Sequence, residues 1–213
     1  MHETTVSQKI IPVLPERIPL YTCSPNEANK AVSRILQAAA KYDKAYLSLA
    51  VKRTRKGDID SLALATSREV VIIKLNDSPA SKKNQLLITL LAGPTFGQTG
   101  QLTLVAFGMA PIAIQLSGWA VNSPVVGIDL STSVTVEGDA KSPSCPSKLI
   151  SRVSAAVHKS RVDALWATSC NTETSKTLCL RAWITAWYAI FPPFYEDDLN
   201  PRGNSQYCRE PRH

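Results

Sequence analysis

Two apolar periods alternate along this chain, and the switches between them mark its elements. IPLYTC (18–23) alternates as a short strand does. Ser24-Pro25-Asn26-Glu27 follows with the capping-box sequence, serine at the N-cap, proline at the first helical position and glutamate at the third. Ala31, Ile35, Leu36 and Ala39 then recur at helical spacing and predict a helix over 25–41. AYLSLAV (45–51) predicts a strand. IDSLALAT (59–66) and EVVIIKL (69–75) predict two more, joined at hairpin distance by Ser67 and Arg68. KKNQLLITLLAG (82–93) predicts a helix that Gly93 and Pro94 stop.

The second half is less regular. A short TFG strand is expected to lead into a helix near 99–109, with IAIQL and VVGIDL as strands. EGDAKSPSCPS (137–147) has loop composition. KLISRVSAAVH (148–158) and SKTLCLRAWITAWYAI (175–190) predict helices, the second apolar on nearly every face and therefore buried. Residues 1–17 carry two prolines and no period, so they read as an arm, and 196–213 read as an irregular tail. With no internal repeat, one domain over 18–195 is the economical organisation.

Composition narrows the chemistry. The hydrophobic fraction of 44% in 213 residues supports an ordinary globular core. A formal net charge of +7 permits nucleic acid or an acidic partner without requiring either. No apolar run approaches bilayer length and no secretory leader pattern opens the chain, so no membrane is expected and an intracellular setting with reduced cysteines is. The five cysteines include no CxxC pair, which argues against structural zinc. His158 is the one histidine away from the termini, so a nucleophilic triad lacks a base. GPTFGQTG (93–100) follows a helix rather than a strand, the wrong order for a phosphate-cradling turn. Trp183 and Trp187, four apart, read as core packing.

Three stretches together resemble the DEDD 3′–5′ exonuclease family. GDIDSLALATSREVVIIKL looks like that family's second and third strands, LITLLAGPTFGQTGQLTLVAF like its second motif region, and TAWYAIFP like its third motif, Y-A-x-x-D. The resemblance implies an α/β fold, a ribonuclease-H-like mixed β-sheet flanked by α-helices. It also implies a site of four carboxylates clamping two divalent cations about a phosphate. Carried over position by position, the first motif's Asp and Glu fall on Ala50 and Lys52. The second motif's Asp falls on Thr103, with Gly97 as its glycine and Phe107 as its later leucine. The third motif's Asp, four residues after Tyr188, falls on Pro192. None of the four is acidic.

The implied function is therefore a catalytically inactive, exonuclease-like scaffold without a metal cofactor. Its expected partner is nucleic acid, RNA rather than DNA, or a protein; a homodimer is also open. Lys52, Arg53, Arg55 and Lys56, in KRTRK, are the candidate phosphate contacts, weighed against an ordinary solvated turn. Two alternatives stand beside it. One is an active exonuclease using Mg or Mn at a relocated site built from Asp58, Asp60 and Asp129. The other is a purely structural interaction domain.

Overall fold

Strands that are apolar on both faces need cover on both sides, and helices supply it here. The computed structural model describes residues 1–7, 17–39, 45–75, 82–91, 102–119, 125–132, 145–153, 158–168 and 172–190. Seven strands form one mixed sheet: β1 (His2–Ser7), β2 (Arg17–Cys23), β3 (Ala45–Arg53), β4 (Ile59–Ala65), β5 (Val70–Lys74), β6 (Leu102–Ala106) and β7 (Ile128–Asp129), in the order β1-β2-β5-β4-β3-β6-β7. The β3–β4–β5 meander is antiparallel. β6 lies parallel to β3, and β7 parallel to β6. This strand order, with helices on both faces, is the ribonuclease-H-like α/β arrangement that the motif resemblance implies.

Among the described residues six helices cover the sheet: α1 (Ala28–Ala39), α2 (Lys82–Leu91), α3 (Met109–Ser117), α4 (Pro146–Val153), α5 (Lys159–Trp166) and α6 (Ser175–Ala189). A short 3-10 turn over Pro25–Glu27 leads into α1. There the Glu27 carboxylate accepts from the Ser24 N–H at 3.1 Å, as the capping sequence predicts. Strand parity sorts the core into two layers. Leu47, Leu49, Leu62, Leu64, Val71 and Ile73 pack on the α1–α3 side. Ala50, Ala63, Ala65, Val70 and Ile72 pack on the α4–α6 side. The second layer is small on the strands because α6 brings the bulk, with Trp183, Trp187 and Tyr188 all buried. Polar links help seat α6: the buried Ser48 hydroxyl donates to the Ala182 carbonyl, and Trp183 Nε1 donates to the Ser67 carbonyl at 2.8 Å.

Several expectations are corrected. Residues 2–7, expected within an irregular arm, form β1. The helix expected near 99–109 is instead strand β6 followed by the start of α3. IAIQL, expected as a strand, lies inside α3, where Met109, Ile112 and Leu116 face the core and Ile114 is 74% exposed. Its I-x-I-x-L alternation comes from one solvent-facing isoleucine, and a five-residue apolar run cannot separate the two periods. VVGIDL keeps only two residues in strand β7. Gly127, just before β7, is required by close approach, since a Cβ there would sit 2.8 Å from the Leu104 carbonyl and 2.6 Å from Met109 Cε. Helix α5 has no counterpart in the sequence reading. The TFG stretch and the tail lie outside the described residues. No described helix is long and apolar enough to cross a membrane.

Candidate functional site

Strand β3 is buried through Val51 and then emerges into solvent, carrying the basic cluster with it. The pairing register with β4 shifts between Lys52 and Arg53. A tight turn follows: Thr54 N–H donates to the Asp58 carbonyl at 2.7 Å and Gly57 N–H to the Thr54 carbonyl at 3.0 Å. Gly57 sits at φ 90°, which a residue with a Cβ rarely adopts.

The four bases divide into two pairs. Lys52 Nζ lies 3.3 Å from Asp60 Oδ2. Arg53 Nη1 donates to the Gly57 carbonyl at 2.9 Å and also to the Gln115 side-chain oxygen, tying the hairpin to α3. Arg55 and Lys56 occupy the turn itself and are exposed.

A cavity of about 380 Å³ opens beside the end of β3. Its lining comes from β3 (Ala50, Arg53), the β6–α3 junction (Phe107, Gly108), Trp166 of α5, Glu173, and Arg181 of α6. The aromatic side is organised by Phe107, which meets Trp166 edge-on and Tyr188 at a tilt, both at 5.5 Å between ring centres.

Charge in the cavity centres on α6. Arg181 pairs with the Glu173 carboxylate and donates through Nη2 to the Val51 carbonyl at 2.6 Å. Both side chains are largely withdrawn from water, 15% and 4% exposed. Burial pushes the Glu173 carboxyl above its ordinary value, and the nearby Arg181 and Lys52 charges pull it partway back. Burial likewise lowers Arg181, against the opposing pull of Glu173. A guanidinium and a carboxylate therefore neutralise each other at the back of the cavity. Together they bind the segment before α6, helix α6 and strand β3.

The positions carried over from the family motifs do not all meet. Ala50 lines the cavity. Lys52, two residues on, is paired to Asp60 and is not among the lining residues. Thr103 pairs with Tyr46, four residues back along β3 from Ala50 and roughly 13 Å away at strand rise, so it does not reach the cavity. The cavity residues on this side come instead from the β6–α3 junction at Phe107 and Gly108. Pro192 lies outside the described residues, and α6 reaches the cavity through Arg181 and Thr185.

Nor do the acids of the alternative site converge. Asp58 immediately precedes β4, Asp60 lies near its start and Asp129 lies in β7, with β3 and β6 between them. Three strand spacings are about 14 Å, far wider than the roughly 4 Å between metals in a two-metal site. Among the described residues no group of three or more His, Cys, Asp or Glu is placed to hold a metal ion. Asp129 has a structural task. It accepts from Gly108 N–H at 3.0 Å, Ala110 N–H at 3.4 Å and Ser131, capping α3. Burial raises its carboxyl, but these hydrogen bonds together carry it below 3.8, its ordinary value.

Glu173 and Arg181 escaped the sequence reading. A signal for one was present: Arg181 is the single charged residue between Thr177 and Ile190, in a helix already read as buried. A charge in such a place needs a partner, but nothing local names Glu173.

No family model matches the chain, and no curated protein does. Among solved structures, the Aedes aegypti Nibbler EXO domain matches at 12% identity with a TM-score of 0.45, over 80% of this chain and 88% of that one. The EXD2 exonuclease domain, soaked in Mn and GMP, matches at 13% identity with a TM-score of 0.39, over 80% of this chain and 85% of that one. At such identity and overlap, neither likeness bears on what the cavity of this chain does.

Proposed function

We propose that this is a non-catalytic, exonuclease-like domain that acts as a scaffold, holding RNA by its phosphate backbone. One observation carries the reading: the cavity at the end of β3 contains Ala50 and an Arg181–Glu173 ion pair, where metal-dependent phosphodiester cleavage needs a cluster of free carboxylates. Among the described lining residues the one carboxylate, Glu173, is committed to the Arg181 guanidinium. The reading assigns no metal to the site.

The phosphate contacts are assigned to the hairpin turn. Arg55 and Lys56 are exposed there, and Arg53 holds the turn against α3. Contacts of this kind are insensitive to base sequence and weaken with salt. Lys52 contributes less, because Asp60 already neutralises it.

The test has two arms. Labelled single-stranded RNA is incubated with the protein and Mg²⁺ or Mn²⁺, and the same RNA is titrated by fluorescence anisotropy at two salt concentrations. The reading expects intact RNA and salt-sensitive binding. Metal-dependent shortening of the RNA abolished by Asp60→Ala would establish the relocated-site exonuclease instead. Absence of binding at low salt would leave a domain that contacts only proteins.

A further inference from the structure

The basic turn also holds a hydroxyl that has no part in the proposed RNA contacts. Thr54 is exposed, with Lys52 and Arg53 before it and Arg55 and Lys56 after it. Its backbone closes the turn, accepting from Gly57 N–H and donating to the Asp58 carbonyl. Its side-chain oxygen accepts from the Lys56 backbone N–H at 3.2 Å, which sets it against the two exposed bases. Every residue from Thr54 to Asp58 is exposed, so local opening can lay the turn out as an extended segment. Ser160 also has bases on either side, Lys159 and Arg161, but it lies within α5, which would have to unwind.

We propose that Thr54 is a phosphorylation site for a protein kinase that selects basic flanking residues, and that the phosphate releases RNA from the turn. The inference rests on the assignment of the RNA contacts to Arg55 and Lys56. Kinases select substrates in part by charge pattern, and bases on both sides of the acceptor suit an acidic groove. In the step, the Thr54 hydroxyl oxygen bonds to the γ-phosphorus of a nucleoside triphosphate. The bond from that phosphorus to its bridging oxygen breaks, the nucleoside diphosphate leaves, and a kinase aspartate accepts the hydroxyl proton. The product carries a charge of about −1.5 to −2 at neutral pH, comparable with the positive charge of Arg55 and Lys56 together. Its oxygens compete for the same donors that an RNA phosphate would use.

The full chain is incubated with Mg-ATP and the catalytic domain of a serine/threonine kinase that prefers basic sequences. Mass spectrometry locates the modified residues, and RNA is titrated by anisotropy against treated and untreated protein. Phosphate is expected on Thr54, with RNA affinity lowered about tenfold or more and the salt slope flattened by about 1.4. The same treatment of Thr54→Val is expected to leave that variant's RNA affinity where it was, which separates Thr54 from other acceptors. Phosphate absent from Thr54 overturns the proposal. So does equal RNA binding by the treated and untreated protein, or an equal loss in Thr54→Val. Untreated protein that binds no RNA at low salt overturns the scaffold reading itself, and the switch with it.

Discussion

Arg181, midway along a buried helix, donates through Nη2 to the backbone carbonyl of Val51 at 2.6 Å, across 130 residues of sequence. The same guanidinium meets Glu173, so one side chain joins α6, the segment before it and the end of β3. A carboxylate withdrawn this far from water depends on that partner.

Removing one half of the pair should therefore be costly. Arg181→Ala leaves Glu173 buried without its counter-charge, and a loss of roughly 3–5 kcal/mol is expected in urea unfolding. The paired replacement Arg181→Met/Glu173→Gln removes both charges and should recover most of that loss. A paired loss equal to the sum of the losses in Arg181→Met and Glu173→Gln alone would show that the two charges act independently.

At the hairpin turn, Arg55→Glu/Lys56→Glu should leave the melting temperature unchanged, because both side chains are exposed. RNA affinity should fall by roughly tenfold or more, and the slope of log affinity against log salt should flatten by about 1.4, two contacts at about 0.7 each for a single strand. Anisotropy titrations between low and moderate salt read both quantities. An unchanged slope would remove these residues from the interface.

Asp129 supplies a pH signature. Its folded-state carboxyl lies below 3.8, so its contribution to stability is complete above that value and disappears as pH falls through the lowered folded value. Asp129→Asn should be less stable than the wild type at neutral pH. The gap should close only as pH drops below about 4, in thermal melts taken from pH 7 to pH 2.5. A gap constant over that range would mean the carboxylate charge plays no part in capping α3.

Gly127→Ala tests the packing beneath β7. The added methyl meets a backbone carbonyl as well as the Met109 side chain, and only the latter can yield easily. A loss of about 1–3 kcal/mol is expected in denaturant unfolding. Wild-type stability would mean that β7 does not sit against Leu104 as described.

How far the site could be read from sequence depends on which interactions are local. Ala50 lines the cavity, and its place near the buried end of β3 follows from strand parity within one short segment. Thr103 lies beside Tyr46, and its assignment depends on an anchor glycine at Gly97, across a stretch where strand β6 and helix α3 stand in the reverse order from the one the periodicity predicts. Ile114 shows the cause in one residue. An exposed isoleucine between core-facing Ile112 and Leu116 imitates strand alternation.

Local pattern along the chain is enough to place the β3–β4–β5 meander, the capped entry to α1, the burial of α6 and the basic turn after Val51. Each of these follows from periodicity or turn chemistry within a few residues. The partners of the charges come from the tertiary packing. Lys52 is answered by Asp60 across the hairpin, Arg53 by Gln115 on α3, and Arg181 by Glu173 and Val51. A charge is legible in sequence, but its partner is chosen by how strands and helices come together, and that partner decides whether it can serve a ligand.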